Sequence, residues 1–195
     1  RIYVLNHGQI AEHGSHAEEI IPPARGLDGG DFSPDGRHFL FRARKEGNLQ
    51  LFAFDLTDRR QRQITSSPGD KFEGTWSPDG RFIVMTSNVG GKNQAWRIPA
   101  AGGEEVRLTP GDERFRHNFY SADGRWLYVQ PSHRNVYRMP ASGGLMQAVT
   151  RFPESGLFLE EPTLSPDGRF LAYCRSNGGS SLWLMTIAPG AAEAR

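Results

Sequence analysis

The chain has 195 residues, with 23 Lys+Arg against 22 Asp+Glu and a formal net charge of +1. That balance excludes the broad basic field of a nucleic-acid binder, and no apolar run approaches the roughly 18 residues of a membrane-spanning helix. Glycine (23) and proline (13) make roughly 18% of the chain against about 12% in average usage, which predicts many turns and many short strands.

The given sequence starts at Arg1 rather than Met. No charged-then-apolar signal opens it, so a compartment is not read from its start. The expectation is a piece of a longer polypeptide. Residues 1–29 are expected to form an N-terminal hairpin and linker. Ile2–Asn6 and Gln9–Glu12 pair across a His7-Gly8 turn, and Pro22-Pro23-Ala24-Arg25-Gly26 links onward. Two readings stay open for the hairpin. It supplies strands of a preceding repeat unit, or it belongs to another fold. For the second, Arg1-Ile2-Tyr3-Val4-Leu5-Asn6-His7-Gly8-Gln9-Ile10-Ala11-Glu12-His13-Gly14-Ser15-His16 resembles the tail of an ABC-transporter ATPase domain, followed by a helix over 17–21. No Walker A loop or signature motif accompanies it, so no nucleotide chemistry follows.

From residue 30 the chain repeats. Ser33-Pro34-Asp35-Gly36, Ser77-Pro78-Asp79-Gly80, Ser121-Ala122-Asp123-Gly124 and Ser165-Pro166-Asp167-Gly168 start 44 residues apart, each followed by arginine. Before each serine stands a large apolar residue, expected to be buried: Phe32, Trp76, Tyr120 and Leu164. After each arginine comes an apolar run, expected to be a strand buried on both faces. An alternating strand follows, with an aromatic and its i+2 partner on one face: Phe52/Phe54, Trp96/Ile98, Tyr137/Met139 and Trp183/Met185. The first three units then carry Ile64-Thr65, Leu108-Thr109 and Val149-Thr150. The fourth has no such pair and runs out in Ile187-Ala188-Pro189-Gly190. The third unit is three residues shorter before its aromatic and longer after its threonine, so its length changes fall in loops.

The Ser-x-Asp-Gly step predicts a tight turn, with glycine taking φ > 0. Each unit therefore reads as a four-stranded antiparallel sheet joined by short turns, and stacked 44-residue sheets of this kind make a β-propeller or part of one. The fold class is all-β, with the last unit lacking its outer strand unless Gln9–Glu12 supplies it. Four units are few for a closed ring. A larger ring or an open arc is expected, and an open edge invites association.

From Gly30 to Ile187 the pattern of apolar residue, Ser-Pro-Asp-Gly-Arg, apolar run, aromatic, Gly-Gly and Leu-Thr resembles the WD-like repeats of TolB-type propellers. Similar repeats occur in propellers of prolyl-oligopeptidase-type and tricorn-type peptidases. The resemblance implies a noncatalytic scaffold that binds a protein partner in the periplasm or cell envelope. The alternative is the gating, substrate-orienting portion of a serine peptidase without its catalytic domain.

Candidate chemistry is sparse. Asp35, Asp79, Asp123 and Asp167 are read as turn residues rather than as a carboxylate cluster. His7, His13 and His16 with Glu12, Glu18 and Glu19 lack a fixed third ligand, so they are read as a polar turn, with no metal expected. Arg59, Arg60, Arg62 and Lys71 are read as a solvated edge. Gly-x-Ser-x-Gly is absent, Cys174 reads as a small core or near-core residue with no base beside it, and nothing calls for a cofactor. The best partner-contact candidates sit where first strands begin: Phe72 and Glu73, Arg114, Arg116 and His117, and Phe158 and Glu160.

Overall fold

A computed structural model of the chain describes residues 20–21, 26–131, 133–153, 158–176 and 179–187. The hairpin and histidines expected before residue 20 lie outside the described residues. The described part is all-β. Its strands are β1 (His38–Lys45), β2 (Asn48–Asp55), β3 (Arg60–Gln63), β4 (Lys71–Trp76), β5 (Phe82–Ser87), β6 (Gln94–Pro99), β7 (Val106–Arg107), β8 (Phe115–Tyr120), β9 (Trp126–Pro131), β10 (Tyr137–Pro140), β11 (Gln147–Ala148), β12 (Phe158–Leu164), β13 (Phe170–Ser176) and β14 (Ser180–Thr186). They form four antiparallel sheets in simple up-and-down order: β1-β2-β3, β4-β5-β6-β7, β8-β9-β10-β11 and β12-β13-β14.

The first unit departs from the expectation of four strands. Its first strand is reduced to bridges, Asp28 with Arg42 and Phe32 with Phe39. Glycine explains both the closeness and the weakness of this segment. A Cβ on Gly30 would lie 2.1 Å from the Leu40 carbonyl oxygen, so only glycine lets the backbones approach there, and glycine is a poor strand former.

The Ser-x-Asp-Gly turns repeat one network, except that in the first the Arg37 Nε donates to Asp55 rather than to Asp35. In the second unit the Gly80 N–H donates to the Ser77 carbonyl at 2.8 Å, and Gly80 takes φ +71°. The Ser77 hydroxyl donates to Asp79 Oδ1 at 2.6 Å and accepts the Phe82 N–H at 2.9 Å. The Arg81 N–H and its Nε both bond the Asp79 carboxylate, at 3.1 and 2.7 Å. The Ser77 hydroxyl and then the Arg81 groups hold Asp79 down to about 2, and Asp123 and Asp167 are held there by the same partners. These carboxylates each serve one turn.

The threonine pairs also have a job. Thr65, Thr109 and Thr150 are buried. Each hydroxyl accepts a backbone N–H, from Leu51, Ala95 and Val136 respectively. Each donates to the amide side chain of the residue just before that N–H: Gln50, Gln94 and Asn135. A buried hydroxyl thus closes the short outer edge of each of the first three sheets without leaving a polar group unpaired.

Packing occurs between sheets. On β5, Ile83 and Met85 face a core shared with Leu40, Leu51 and Ala53 of the first sheet, while Val84 faces one shared with Phe115, Leu127 and Val129 of the third. A third core joins Tyr128 and Val136 to Leu159, Leu171 and Tyr173. Among the described residues no core joins the fourth sheet to the first. The far face of the first sheet, with Phe39, Phe41 and Phe54, is packed by Ile20, Ile21 and Leu27. Among the described residues no core cluster covers the far face of the fourth. Leu182 is 78% and Leu184 66% exposed, although Leu182 stands where Leu51, Ala95 and Val136 are buried in the other units.

Two sequence expectations need correction. Phe32 is 44% exposed, whereas Trp76 at the same repeat position is only 6% exposed. Trp76 is covered because the first sheet lies against it, and its Nε1 donates to the Asp31 carbonyl at 3.2 Å. No described sheet plays that part for Phe32, which rests on Phe39 instead. Lys71 is fully buried rather than part of a solvated edge. Its ammonium donates to the Ser67, Pro68 and Gly69 carbonyls at 2.9 to 3.1 Å and lies 3.8 Å from Glu105. It ties the loop before β4 into place.

Candidate partner-binding face

The first strands β4, β8 and β12 pack in succession against one another and are the innermost strands of their sheets. Each carries a β-bulge near its start. The register slips between Phe72 and Thr75, between Phe115 and Asn118, and between Glu160 and Thr163. The bulges fall one repeat apart, so Glu73, His117 and Glu161 occupy the same place in three successive units. Glu73 and Glu161 both hold φ at +49°, a left-handed backbone that costs a non-glycine residue roughly 1 kcal/mol. Bulges of this kind re-aim side chains at sheet rims.

A bulge frees backbone carbonyls, and the preceding sheet catches them. The Thr86 hydroxyl on β5 donates to the Arg116 carbonyl at 2.8 Å and accepts from Asn118 Nδ2 at 2.7 Å. Gln130 Nε2 on β9 donates to the Leu159 carbonyl at 2.8 Å. Arg42 on β1 holds the same repeat position, bonds Asp28, and lies over the Phe72 ring at 5.7 Å. Cys174 is the fourth member of this series, half-buried with a free thiol. The loops joining second and third strands lie at the same end, since the Phe115 N–H donates to the Asn93 carbonyl and the Leu159 N–H to that of His133.

Charge pairs cross from sheet to sheet on this face. His117 Nδ1 lies 3.2 Å from Glu73 Oε2, and His133 Nδ1 lies 3.3 Å from Glu160 Oε1. The second contact is off hydrogen-bond alignment and is an ion pair only when His133 is protonated. The two imidazoles are driven apart. Burial pulls His117 down, but the Glu73 hydrogen bond and the charges of Glu73 and Glu161 outweigh it and leave its pKa raised. Burial and then Arg116 lower His133, against the pull of Glu160. His117 Nε2, Asn118 Oδ1 and Gln130 Oε1 are buried without a hydrogen-bond partner among the described residues. Three unpaired buried polar atoms on one face are a concentration that a fold built for stability alone avoids.

The candidates named from the sequence divide accordingly. Glu73, Arg116, His117 and Glu160 come together at the bulges. Phe72 is half-buried under Arg42 on the same strand start. Phe158 is exposed at the rim, 6.2 Å centroid to centroid from His133. Arg114 stands exposed in the loop before β8, apart from the cluster. Sequence reading passed over Arg42 and His133. A signal for Arg42 was available: residues 42, 86, 130 and 174 follow the apolar runs of the second strands one repeat apart. His133 sits in a loop at φ +57°, outside the repeat frame because the third unit is shortened there. Among the described residues no cluster of three His, Cys, Asp or Glu is arranged to hold a metal ion, and no helix is long and apolar enough to cross a membrane.

Comparison with known proteins agrees with this architecture. The chain is 27% identical to a TolB homolog of Chlorobium chlorochromatii over 142 residues, 71% of this chain and 31% of that protein. It is 26% identical to an uncharacterized peptidase of Bacillus subtilis over 150 residues, 73% of this chain and 20% of that one. The crystal structure of TolB from Acinetobacter baumannii superposes with a TM-score of 0.73 at 29% identity, covering 88% of this chain and 43% of that one. The chain thus spans from about a fifth to about half the length of the curated relatives it matches. The model of the TolB beta propeller domain matches residues 11–195, and with the repeated sheets described above this places the chain in the TolB β-propeller family.

Proposed function

We propose that this chain is a noncatalytic propeller scaffold that binds a protein partner on the face formed by the starts of β4, β8 and β12. The observation that carries the reading is the pair of left-handed glutamates, Glu73 and Glu161, held one repeat to either side of His117. Backbone strain is retained there in registered bulges, among unpaired polar atoms and beside the exposed ring of Phe158. Phe72, Arg116, Glu160 and, further out, Arg114 complete the contact surface. The TolB relatives support a periplasmic or envelope-associated setting. No hydrolase, kinase or ATPase turnover is expected of the chain by itself.

The test is photo-crosslinking in the native cell. A photoreactive phenylalanine analogue at position 72 or 158 should give a discrete protein adduct, and the same analogue at Thr57, on the outer rim, should give none. Adducts of equal yield from all three positions, or from Thr57 alone, would reject the face.

The similarity to the B. subtilis peptidase supports a second reading, a propeller that orients substrate for a hydrolase domain elsewhere in a longer polypeptide. A Gly-x-Ser-x-Gly domain encoded in frame downstream would favour it.

A further inference from the structure

At the opposite end of the sheets, between the turns of the second and third units, lies a cavity of about 310 Å³. That is the small end of the range of ligand cavities, roughly 300–1,000 Å³. Two side chains lining it keep hydrogen-bond donors that no described residue takes up. The Arg97 guanidinium stacks on the Phe82 ring at 4.6 Å and donates once, from Nη1 to the Ala141 carbonyl at 3.2 Å. Among the described residues it has no acidic partner. Tyr120 lines the same space, and its hydroxyl has no hydrogen-bond partner among them. The remaining charges are already matched, Arg81 with Asp79 and Arg125 with Asp123. One cation in the cavity is therefore left over.

The feature is not a by-product of the repeat. Between the first and second units, Ala53 stands at the place of Arg97 and Trp76 at that of Tyr120. The indole occupies its place with a hydrogen bond to Asp31. Between the third and fourth, Arg138 has the stacking of Arg97, over Trp126 at 4.5 Å, but Leu164 replaces the tyrosine. Among the described residues, only the middle junction joins a stacked arginine to a phenol.

We infer that this cavity binds a carboxylate carried on a small apolar body, with the Arg97 guanidinium and the Tyr120 hydroxyl donating to its oxygens. A stacked guanidinium presents a fixed planar fork that fits a carboxylate bidentately. The phenol adds a neutral donor, while Phe82, Pro78 and Ala141 supply apolar wall. A free small acid and an acidic group at the end of a peptide share this chemistry. The inference is independent of the partner face, which lies at the other end of the inner strands.

The test is titration of the full chain, by calorimetry and by amide chemical shifts, with benzoate, with an acetylated tripeptide ending in a free carboxylate, and with neutral benzamide. Saturable binding of either acid, with shifts centred on Arg97 and Tyr120, is expected, and the tighter acid identifies the source. Arg97→Gln should weaken binding about tenfold or more and Tyr120→Phe about fivefold, in line with a charge-assisted and a neutral hydrogen bond. Both variants should keep the thermal midpoint of the parent within a few degrees. If Arg97→Gln fails to fold, Tyr120→Phe alone decides. No saturation by either acid, equal binding of benzamide, or unchanged affinity in the folded variants would overturn the assignment.

Discussion

The two ends of the sheets are built on opposite plans. At the turn end, four units repeat one hydrogen-bond network: serine to aspartate, arginine to aspartate, and the next strand back to the serine hydroxyl. At the strand-start end the same register holds Glu73, His117 and Glu161, three positions with two chemistries, two of them in left-handed backbone. Sameness from unit to unit marks what every sheet needs in order to fold. Difference at a shared, strained position marks what the sheets do not need, and this is where a partner is proposed to sit. The Arg97 cavity extends the lesson, since it arises where one junction departs from its neighbours.

The largest expected effect tests the structural end. Ser77→Ala removes a donor to Asp79 and an acceptor for the Phe82 N–H at a buried serine that opens an otherwise mostly exposed turn. It should cost about 2 kcal/mol, read as a lower midpoint in urea with an unchanged denaturant slope. A loss under half of that would mean the turn network is ornament, and the contrast between the ends would weaken. The next effect has the opposite sign. Glu161→Gly relieves the left-handed backbone at an exposed position and should raise stability by about 0.5–1 kcal/mol. Destabilisation there would show that the glutamate is held for structural reasons.

A smaller effect sharpens the picture of the charge pairs. His117 should titrate above the ordinary histidine value of about 6.5 and His133 below it, by side-chain NMR. The signs oppose. The raised His117 contributes stability that is complete below about pH 6.5 and is lost as pH rises through its folded value. The lowered His133 contributes stability present above about pH 6.5 and lost as pH falls through its folded value. Glu73→Gln should bring His117 down toward His133, and coincident midpoints in the unaltered chain would contradict the cross-sheet pairing. Smallest is the difference between sheets. Trp96 packs against the core of the first two sheets, whereas Trp183 is 44% exposed on the fourth. Trp96 should be the better protected from quenchers, and amides of the fourth sheet should exchange before those of the second and third. Uniform exchange would argue that the fourth sheet is covered after all.

Much of the fold was legible because repetition is a strong signal. Four turns at constant spacing fixed strand order, and consecutive apolar residues such as Ile83-Val84-Met85 announced a strand buried on both faces. The site was legible only in outline. The starts of first strands were marked as the rim, but nothing in Glu73 or Glu161 betrays positive φ, since glycine is the usual mark and neither position has it. Lys71 misled because lysine is ordinarily solvent-exposed, and its burial depends on three carbonyls of a loop whose path the sequence does not reveal. Phe32 misled for the converse reason. Its repeat position is buried only when a preceding sheet covers it.

The central claim is that the strand-start face, not the turn end, carries the partner. The direct measurement is the affinity of the protein recovered by crosslinking from position 158, for two variants of the chain. Glu73→Ala with Glu160→Ala should weaken binding about tenfold or more, while Arg37→Ala with Arg169→Ala at the turn end should stay within about twofold. Loss of binding in the turn-end variant with full binding in the other would contradict the account.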